Sequence, residues 1–236
     1  MMPHRDDRDA EPLRLVTVAA VAALVGCALL MALALLLHGR VTGLDPVILR
    51  WVRERTGDYG FGVAAARRLT ILGNNLTLWI VTVAALSYLL AKRRWPQAVY
   101  IAGATATGGM MTSAIKFVVD RPRPTLVRHL VEVQSASFPS GHAMNSAYVY
   151  GTLALAVAAF QGTRPRQRIT VAVALILVLA IGASRIVLGV HWPTDVAAGW
   201  AFGLGWTVVA AAIFARVDPG RSGRGRSAMP SGEHVG

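Results

Sequence analysis

Residues 184–215 have the sequence SRIVLGVHWPTDVAAGWAFGLGWTVVAAAIFA, and this stretch decides the class of fold. Its last 20 residues, 196–215, contain no charged side chain. A helix rises about 1.5 Å per residue, so about 20 apolar residues are enough to cross the hydrocarbon core of a bilayer. The polar residues from Ser184 to Asp195 precede this run. The stretch therefore predicts a transmembrane helix that begins at a polar cluster.

Five further apolar runs come before this one, and a strand in lipid would leave its backbone amides without partners. We therefore predict an all-α, polytopic fold with six transmembrane helices in a bundle. The fifth run is the shortest, and it gains length if its helix continues through Ser184 and Arg185. The six predicted spans are Leu15–Leu37, Leu72–Ala91, Gln97–Ile115, Ala143–Phe160, Ile169–Ala183 and Val196–Ala215.

The composition supports a membrane protein. Hydrophobic residues make up 54% of the 236 residues and charged residues only 15%, which is unusual for a soluble globule. The net charge of +12 would suggest nucleic acid in a soluble protein, but the basic residues stand in short clusters between apolar runs. We therefore expect membrane lipids, and no nucleic acid, as partners. The single cysteine, Cys27, excludes a disulfide within the chain and a cysteine zinc cluster.

The same pattern predicts the organisation of the chain. Residues 1–14 form an N-terminal tail, 15–215 a six-helix membrane domain, and 216–236 a basic tail that we expect to be disordered. The first apolar run is longer than the hydrophobic region of about 7–15 residues in a secretory signal, and no small-x-small cleavage site follows it. We expect it to be retained as an anchor.

Short basic loops predict the orientation in the membrane. Lysine and arginine residues fill the links at 92–94 and 164–168, and positive residues in short loops stay in the cytoplasm. With six spans, both termini then face the cytoplasm. The ends of the third and fifth spans and the starts of the fourth and sixth spans share the extracytoplasmic side. We expect a multi-pass protein of the cell membrane with its active site on that side.

Between the first two spans, Asp45 and Pro46 have the pattern of a helix start, with aspartate as the N-cap and proline at the first helical position. Apolar residues follow at helical spacing, which suits a short helix at the membrane interface. The alternative is a solvated loop with a chance apolar stripe.

Three polar clusters stand at span ends on the predicted extracytoplasmic side, where packing alone does not require them. The first cluster offers the cations Lys116 and Arg123, and the third offers Arg185. Arginine forks can bridge phosphate oxygens, and a lysine adds a point charge. In the second cluster, Ser140 can cap the fourth span and Gly141 lets its backbone approach a ligand, where the helix N-terminus attracts anions. The clusters predict a site for a tetrahedral oxyanion.

Two histidines in these clusters predict catalysis as well as binding. His191 lies four residues before Asp195, whose carboxylate can orient one ring nitrogen and leave the other as a nucleophile. His142 can protonate the leaving oxygen from the opposite side. The alternative is that the histidines are ordinary interface residues and that the cations are anchors at the membrane surface.

The clusters together resemble the three-part signature of the type 2 phosphatidic acid phosphatase family, which includes bacterial undecaprenyl-pyrophosphate phosphatases. The resemblance covers roughly residues 15–215. The strings that carry it are Lys116-x6-Arg123-Pro124, Pro139-Ser140-Gly141-His142 and Ser184-Arg185-x5-His191-x3-Asp195.

The resemblance implies a metal-free reaction without a cofactor, in which His191 is the nucleophile, Asp195 orients it and His142 is the acid and base. It also implies that five residues bind the phosphate, namely Lys116, Arg123, Ser140, Gly141 and Arg185.

Other polar residues have lesser predicted roles. Asp120, Arg121, Arg128 and His129 are expected in a solvated loop, with substrate gating as the alternative. Gly199 and Gly203 form a G-x-x-x-G pattern that favours close helix packing within the bundle. Residues 74–75, both asparagine, either cap the second span or sit at the rim of the site.

The function predicted from the sequence is a lipid phosphatase, with undecaprenyl pyrophosphate favoured as substrate and phosphatidic acid or phosphatidylglycerol phosphate as alternatives. The same phosphate site resembles that of vanadium-dependent haloperoxidases, but those are soluble. A non-catalytic lipid-phosphate transporter or binding protein is the alternative of another class, and the intact His142, His191 and Asp195 count against it. The sequence does not specify the oligomeric state, the attached chain or an acceptor other than water.

Overall fold

The computed structural model describes residues 5–36 and 43–217 of the chain. Within these ranges all regular elements are α-helices, which confirms the all-α prediction. The predicted C-terminal tail lies outside the described residues, apart from the two residues that end the last helix. The helices are α1 (Arg5–Leu36), α2 (Leu44–Thr56), α3 (Phe61–Leu72), α4 (Asn75–Ala91), α5 (Trp95–Val119), α6 (Gly141–Ala158), α7 (Arg164–Val187) and α8 (Pro193–Val217).

Each of the six predicted spans falls largely within one of these helices. The fifth gains length in the predicted way, because α7 continues through Ser184 and Arg185 to Val187. In the described part of the chain, α1, α7 and α8 are long and apolar enough to cross a membrane, and α3 with α4, bent by 45°, would make a fourth span. Many large apolar side chains of α1 and α7 are exposed, as a lipid-facing surface requires. The protein is therefore a membrane protein, and the count of six spans stays a prediction.

The segment between α1 and α4 forms two helices instead of one. The predicted short helix is present as α2, but its N-cap position is Gly43, so the prediction that Asp45 is the cap is wrong. Asp45 lies in the first turn with a fully buried side chain that is used elsewhere. The helix α3 was not predicted, and helix α1 begins at Arg5, within the segment predicted as a tail.

The centre of the bundle is the contact between α6 and α8. A Cβ atom added to Gly199 would lie 2.8 Å from the carbonyl oxygen of Ser140, and one added to Gly203 would lie 2.5 Å from that of Met144. Only glycine allows the two backbones to approach so closely, which confirms the predicted packing role of the G-x-x-x-G pattern. Phe138 and Phe202 pack edge to face beside this contact, with ring centroids 6.3 Å apart.

The link between α7 and α8 is short and tightly held. Gly189 has a φ of +75°, a left-handed conformation that favours glycine, and a Cβ atom there would lie 2.9 Å from the carbonyl oxygen of Arg128. The amide of Leu130 donates to the carbonyl of Leu188 at 3.0 Å, which ties this link to the α5–α6 loop. The link therefore holds His191 in a fixed place next to that loop.

Candidate active site

One cavity of about 850 Å³ receives residues from all three sequence clusters. It lies among α4, α5, α6, the α5–α6 loop and the end of α7. Of the eight predicted site residues, Ser140 and Asp195 are fully buried beside it, and the amide of Ser140 donates to the carbonyl of Asp195 at 3.0 Å. The other six line the cavity, namely Lys116, Arg123, Gly141, His142, Arg185 and His191.

The three predicted cations enter the cavity from different elements. Lys116 is in the last turn of α5 and donates to the carbonyl of Ala136 at 2.5 Å. Arg123, in the following loop, donates to the carbonyls of Ser135 and Val190, each at 2.7 Å. These carbonyls fix the cations without neutralising them.

Arg185 completes the set from the last turn of α7. It donates to the hydroxyl of Thr70 at 2.6 Å, and its Nε has no hydrogen-bond partner among the described residues. No aspartate or glutamate is among the described residues that line the cavity. Three cations without an acidic neighbour on the wall suit a multiply charged anion.

His191 is 2% exposed and lies with both ring nitrogens near polar groups. Its Nδ1 is 3.5 Å from Oδ2 of Asp195, and its Nε2 is 3.2 Å from Nη1 of Arg123. Burial lowers the pKa of His191 to about 4, and nearby cations add to this effect, while Asp195 opposes it. The imidazole is therefore neutral at physiological pH. If the proton is on Nδ1, facing the carboxylate, Nε2 keeps a lone pair.

The carboxylate of Asp195 is held by four groups. Oδ2 accepts from the hydroxyl of Ser137 at 2.5 Å and from the amide of Trp192 at 2.9 Å, and it faces His191. Oδ1 accepts from Arg121 at 2.6 Å. These bonds fix the carboxylate beside the imidazole, although 3.5 Å is longer than an ordinary hydrogen bond to nitrogen.

Arg121 corrects the prediction of a solvated loop. Its side chain is buried and bridges two carboxylates, with Nη1 on Asp195 and Nη2 on Asp45 at 2.7 Å. Asp45 also accepts from the amide and hydroxyl of Thr194, at 2.9 and 2.6 Å. The cluster of Asp45, Arg121 and Asp195 thus connects α2, the α5–α6 loop and the start of α8. The other loop residues, Asp120, Arg128 and His129, are exposed as predicted.

His142 and Ser140 stand at the start of α6. His142 is half-buried on the cavity wall, and a Cβ atom added to Gly73, just before α4, would lie 3.1 Å from its ring. Ser140 is at the N-cap position, but its hydroxyl makes no capping bond, and this buried oxygen has no partner among the described residues. The expected capping role of its side chain is therefore absent.

The two asparagines before the second span have separate roles. Asn74 caps α4 by accepting from the amide of Leu76 at 3.4 Å, and Asn75 accepts from the side-chain amide of Asn145 at 3.0 Å. Both line the cavity, so the prediction of a cap and that of a rim position each describe part of the arrangement.

Sequence reasoning missed three buried residues of the site, Asp45, Arg121 and Ser137. Arg121 lies between Lys116 and Arg123, and Ser137 lies three residues before Ser140, so proximity to the clusters was the available signal. Within residues 5–36 and 43–217, no three histidine, cysteine, aspartate or glutamate side chains are grouped as metal ligands would be.

The chain is similar to several known proteins. Residues 97–218 match the family model described as the PAP2 superfamily. Phosphatidylglycerophosphatase B of Bacillus subtilis is 35% identical over 99 residues, 42% of this chain and 48% of that protein. The chain thus spans about half the length of this relative. Decaprenylphosphoryl-5-phosphoribose phosphatase of Mycobacterium tuberculosis is 33% identical over 168 residues, 70% of this chain and 84% of that protein.

Among solved structures, the chain resembles the crystal structure of a transmembrane PAP2-type phosphatidylglycerolphosphate phosphatase from Bacillus subtilis. The TM-score is 0.71 at 22% identity, over 84% of this chain and 96% of that one. The similarity of fold thus extends beyond the residues that the family model matches.

Proposed function

The chain belongs to the PAP2 superfamily, and from that premise we propose that it is a membrane phosphatase that hydrolyses a lipid phosphate or pyrophosphate without a metal. One observation carries the proposal: three cations and two histidines share a cavity, and no acidic side chain is among the described residues that line it. The cations suit the charge of a phosphate group, and a neutral His191 beside a fixed carboxylate suits nucleophilic attack.

In the first step, the Nε2 lone pair of His191 attacks phosphorus while the bond from phosphorus to the leaving oxygen breaks. The negative charge of the bound phosphate favours the imidazolium form of His142. This imidazolium gives its proton to the leaving oxygen, so the lipid alcohol, or the lipid phosphate from a pyrophosphate, leaves. Asp195 stabilises the positive charge that develops on the imidazole. Lys116, Arg123 and Arg185, the amide groups at the start of α6 and the hydroxyl of Ser140 bind the phosphate oxygens.

In the second step, water attacks the phosphohistidine. His142, now neutral, takes a proton from the water, and the bond from phosphorus to Nε2 breaks. Inorganic phosphate leaves, and both histidines return to their starting states. The same residue therefore serves as acid in one step and as base in the next.

The shape of the cavity supports a lipid substrate. From Lys116 the cavity continues along one face of α5 to Ala102. At about 1.5 Å per residue, this distance is roughly 20 Å. Leu78, Val83 and Leu86 of α4 line its opposite wall. An acyl or prenyl chain fits between the two helices while its phosphate stays with the cations.

We place this site at the extracytoplasmic surface of the cell membrane. The proposal retains six spans, with both termini in the cytoplasm, one membrane domain over residues 15–215, and terminal segments 1–14 and 216–236. It rests on the basic links at 92–94 and 164–168. The substrate candidates remain undecaprenyl pyrophosphate, which the sequence favours, phosphatidic acid and phosphatidylglycerol phosphate.

The test is phosphate release by the purified protein in detergent with a chelator present. Each of the three lipids is compared for the intact protein, for His191→Ala, and for His129→Ala as a control at an exposed loop histidine. We expect release that persists with chelator, vanishes in His191→Ala and remains in His129→Ala. If the intact protein releases phosphate from none of the lipids, the phosphatase proposal fails.

A further inference from the structure

The three asparagines of the chain all line the active-site cavity. Asn74, Asn75 and Asn145 are the only asparagines among 236 residues, and each contributes to the same wall. The proposed mechanism uses none of them. Amide side chains offer both donors and acceptors without charge, so they can hydrogen-bond neutral oxygen groups of a substrate.

Two of these asparagines belong to a hydrogen-bonded chain that joins three helices. Thr112 of α5 donates to Oδ1 of Asn145 on α6 at 2.8 Å, and Nδ2 of Asn145 donates to Oδ1 of Asn75 on α4 at 3.0 Å. The Nδ2 group of Asn75 has no partner among the described residues, and that of Asn145 has a second hydrogen. These hydrogen bonds thus fix both amides and leave N–H donors for a ligand.

These amides lie on the side of His142. Asn145 is three residues after His142 on α6, which places both on one face of the helix, and Gly73, whose added Cβ would touch the His142 ring, directly precedes Asn74 and Asn75. In the proposed reaction His142 protonates the leaving oxygen, while His191 attacks from the opposite side. The amides therefore adjoin the leaving group, not the phosphate that stays on His191.

The cavity changes character beyond this point. The hydroxyls of Thr82 and Thr105, deeper along α4 and α5, donate to carbonyls of their own helices, those of Leu78 and Ile101, each at 2.8 Å. They leave the wall there mainly apolar. A ligand that fills the cavity then has polar atoms next to its ester oxygen and hydrocarbon farther away.

We propose that Asn75 and Asn145 form a subsite that hydrogen-bonds hydroxyl or ester oxygens next to the scissile bond. The inference rests on the proposed function and narrows its substrate to phosphate esters of glycerol- or sugar-based lipids. A prenyl phosphate has only hydrocarbon after its ester oxygen and would leave these amides unpaired. The subsite therefore opposes the preference for undecaprenyl pyrophosphate that the sequence favours.

A matched pair of substrates tests the subsite. Lysophosphatidic acid with a hexadecanoyl chain has a hydroxyl and an ester next to its phosphate, whereas hexadecyl phosphate has an alkyl chain alone. The kcat/KM for each is measured in the same detergent for the intact protein, Asn75→Leu and Asn145→Leu. Thr107→Val is the control, because Thr107 is exposed on α5 outside the cavity and its hydroxyl bonds its own helix.

We expect the intact protein and Thr107→Val to prefer lysophosphatidic acid by about tenfold or more. Each leucine variant should reduce this ratio by about two- to tenfold, the effect of one neutral hydrogen bond, because kcat/KM falls more for lysophosphatidic acid than for hexadecyl phosphate. If Asn145→Leu does not fold, Asn75→Leu at the exposed rim still gives the answer.

Two results would overturn the subsite while leaving the phosphatase intact. One is equal kcat/KM of the intact protein for both substrates. The other is an equal loss on both substrates in the leucine variants, which would mean that the amides only join the helices. Failure to hydrolyse either substrate, together with the lipids tested above, would instead defeat the proposed function.

Discussion

The two histidines of the site lie in very different surroundings. On the side of His191, the supporting residues Asp45, Ser137 and Asp195 have no exposed surface, and Arg121 is 4% exposed. On the side of His142, Asn74 and Asn75 are exposed and Asn145 is half-buried. One side is a closed network of charges and the other an open wall of neutral amides.

The difference follows from what each side has to do. A nucleophile needs one fixed orientation, and buried charges fix it only when each is paired, since an unpaired buried charge is costly. The side of the leaving group has to admit and release a lipid, which a closed network would prevent. The comparison therefore predicts that changes on the side of His191 affect the fold and all substrates, whereas those on the side of His142 depend on the substrate.

The largest expected effect is a loss of activity in His142→Ala that depends on the leaving group, which His191→Ala should not show. His142→Ala should lower kcat/KM for phosphatidic acid by about 10²- to 10⁴-fold, because an alkoxide needs a proton to leave. With p-nitrophenyl phosphate the loss should be below about tenfold, since nitrophenolate leaves without a proton. Steady-state kinetics in detergent measures both.

His191→Ala is the matched comparison and should abolish turnover of both substrates. An equal loss on both substrates in His142→Ala would show that His142 does not act on the leaving oxygen, and the distinction between the two sides would fail.

The next effect concerns the buried charge cluster behind His191. Arg121→Met should destabilise the protein by about 3–5 kcal/mol, because Asp45 and Asp195 lose their shared partner while buried. Unfolding in detergent by increasing denaturant measures this change, with Arg128→Met at an exposed loop arginine as the control.

A second variant tests whether charge is the cause. Adding Asp45→Asn to Arg121→Met removes one of the two uncompensated charges and should recover part of the lost stability. A double variant that is less stable than Arg121→Met would contradict this account of the cluster.

The third effect is a loss of stability in acid that is due to His191. In the unfolded chain histidine has a pKa near 6.5, and in the folded protein burial lowers that of His191 to about 4. Between these pH values the unfolded state binds the additional proton, so stability falls as pH falls, by about 3 kcal/mol over the whole window.

The measurement is the apparent Tm in detergent between pH 7 and pH 4, for the intact protein and for His191→Gln, which cannot take up this proton. The variant should lose less stability over that range. Equal slopes for the two proteins would mean that the nucleophile is not held neutral by burial.

Sequence prediction succeeded for the residues that line the cavity and failed for the buried charges behind His191. The long helices follow from apolar runs, and the cavity residues follow from polar groups at span ends, because both signals are local. Asp45 gave no such signal, and Arg121 gave only its proximity to the first cluster. Their burial could not be predicted, because the partners of Arg121 are 76 and 74 residues away. A buried arginine in a Pro- and Arg-rich loop has the same sequence pattern as a solvated one.

The smaller elements show the same limit. The 12-residue helix α3 contains Arg67 and Arg68, which interrupt its apolar residues, so no long apolar run reveals it. The capping role expected for Ser140 failed because a serine before a helix is chemically able both to cap it and to bind a ligand. Its unpartnered hydroxyl is a fact of tertiary structure that sequence spacing does not contain.

The smallest expected effect concerns the contact between α6 and α8, which holds the two sides of the site together. Helix α6 carries His142 and helix α8 carries Asp195, and Gly199 lets them meet at Ser140. In Gly199→Ala the new Cβ would lie 2.8 Å from a backbone oxygen, so the helices have to separate, at a cost of about 1–3 kcal/mol.

Gly203→Ala is the matched control, because its Cβ would meet the backbone of α6 one turn farther from the site, at 2.5 Å. Both variants should lose similar stability in denaturant unfolding. Only Gly199→Ala should also lower kcat/KM for every lipid phosphate, because it alone moves Ser140 relative to Asp195 and hence one histidine relative to the other. Equal kinetic losses in both variants would mean that the contact between α6 and α8 supports the fold without setting the spacing between the two sides of the site.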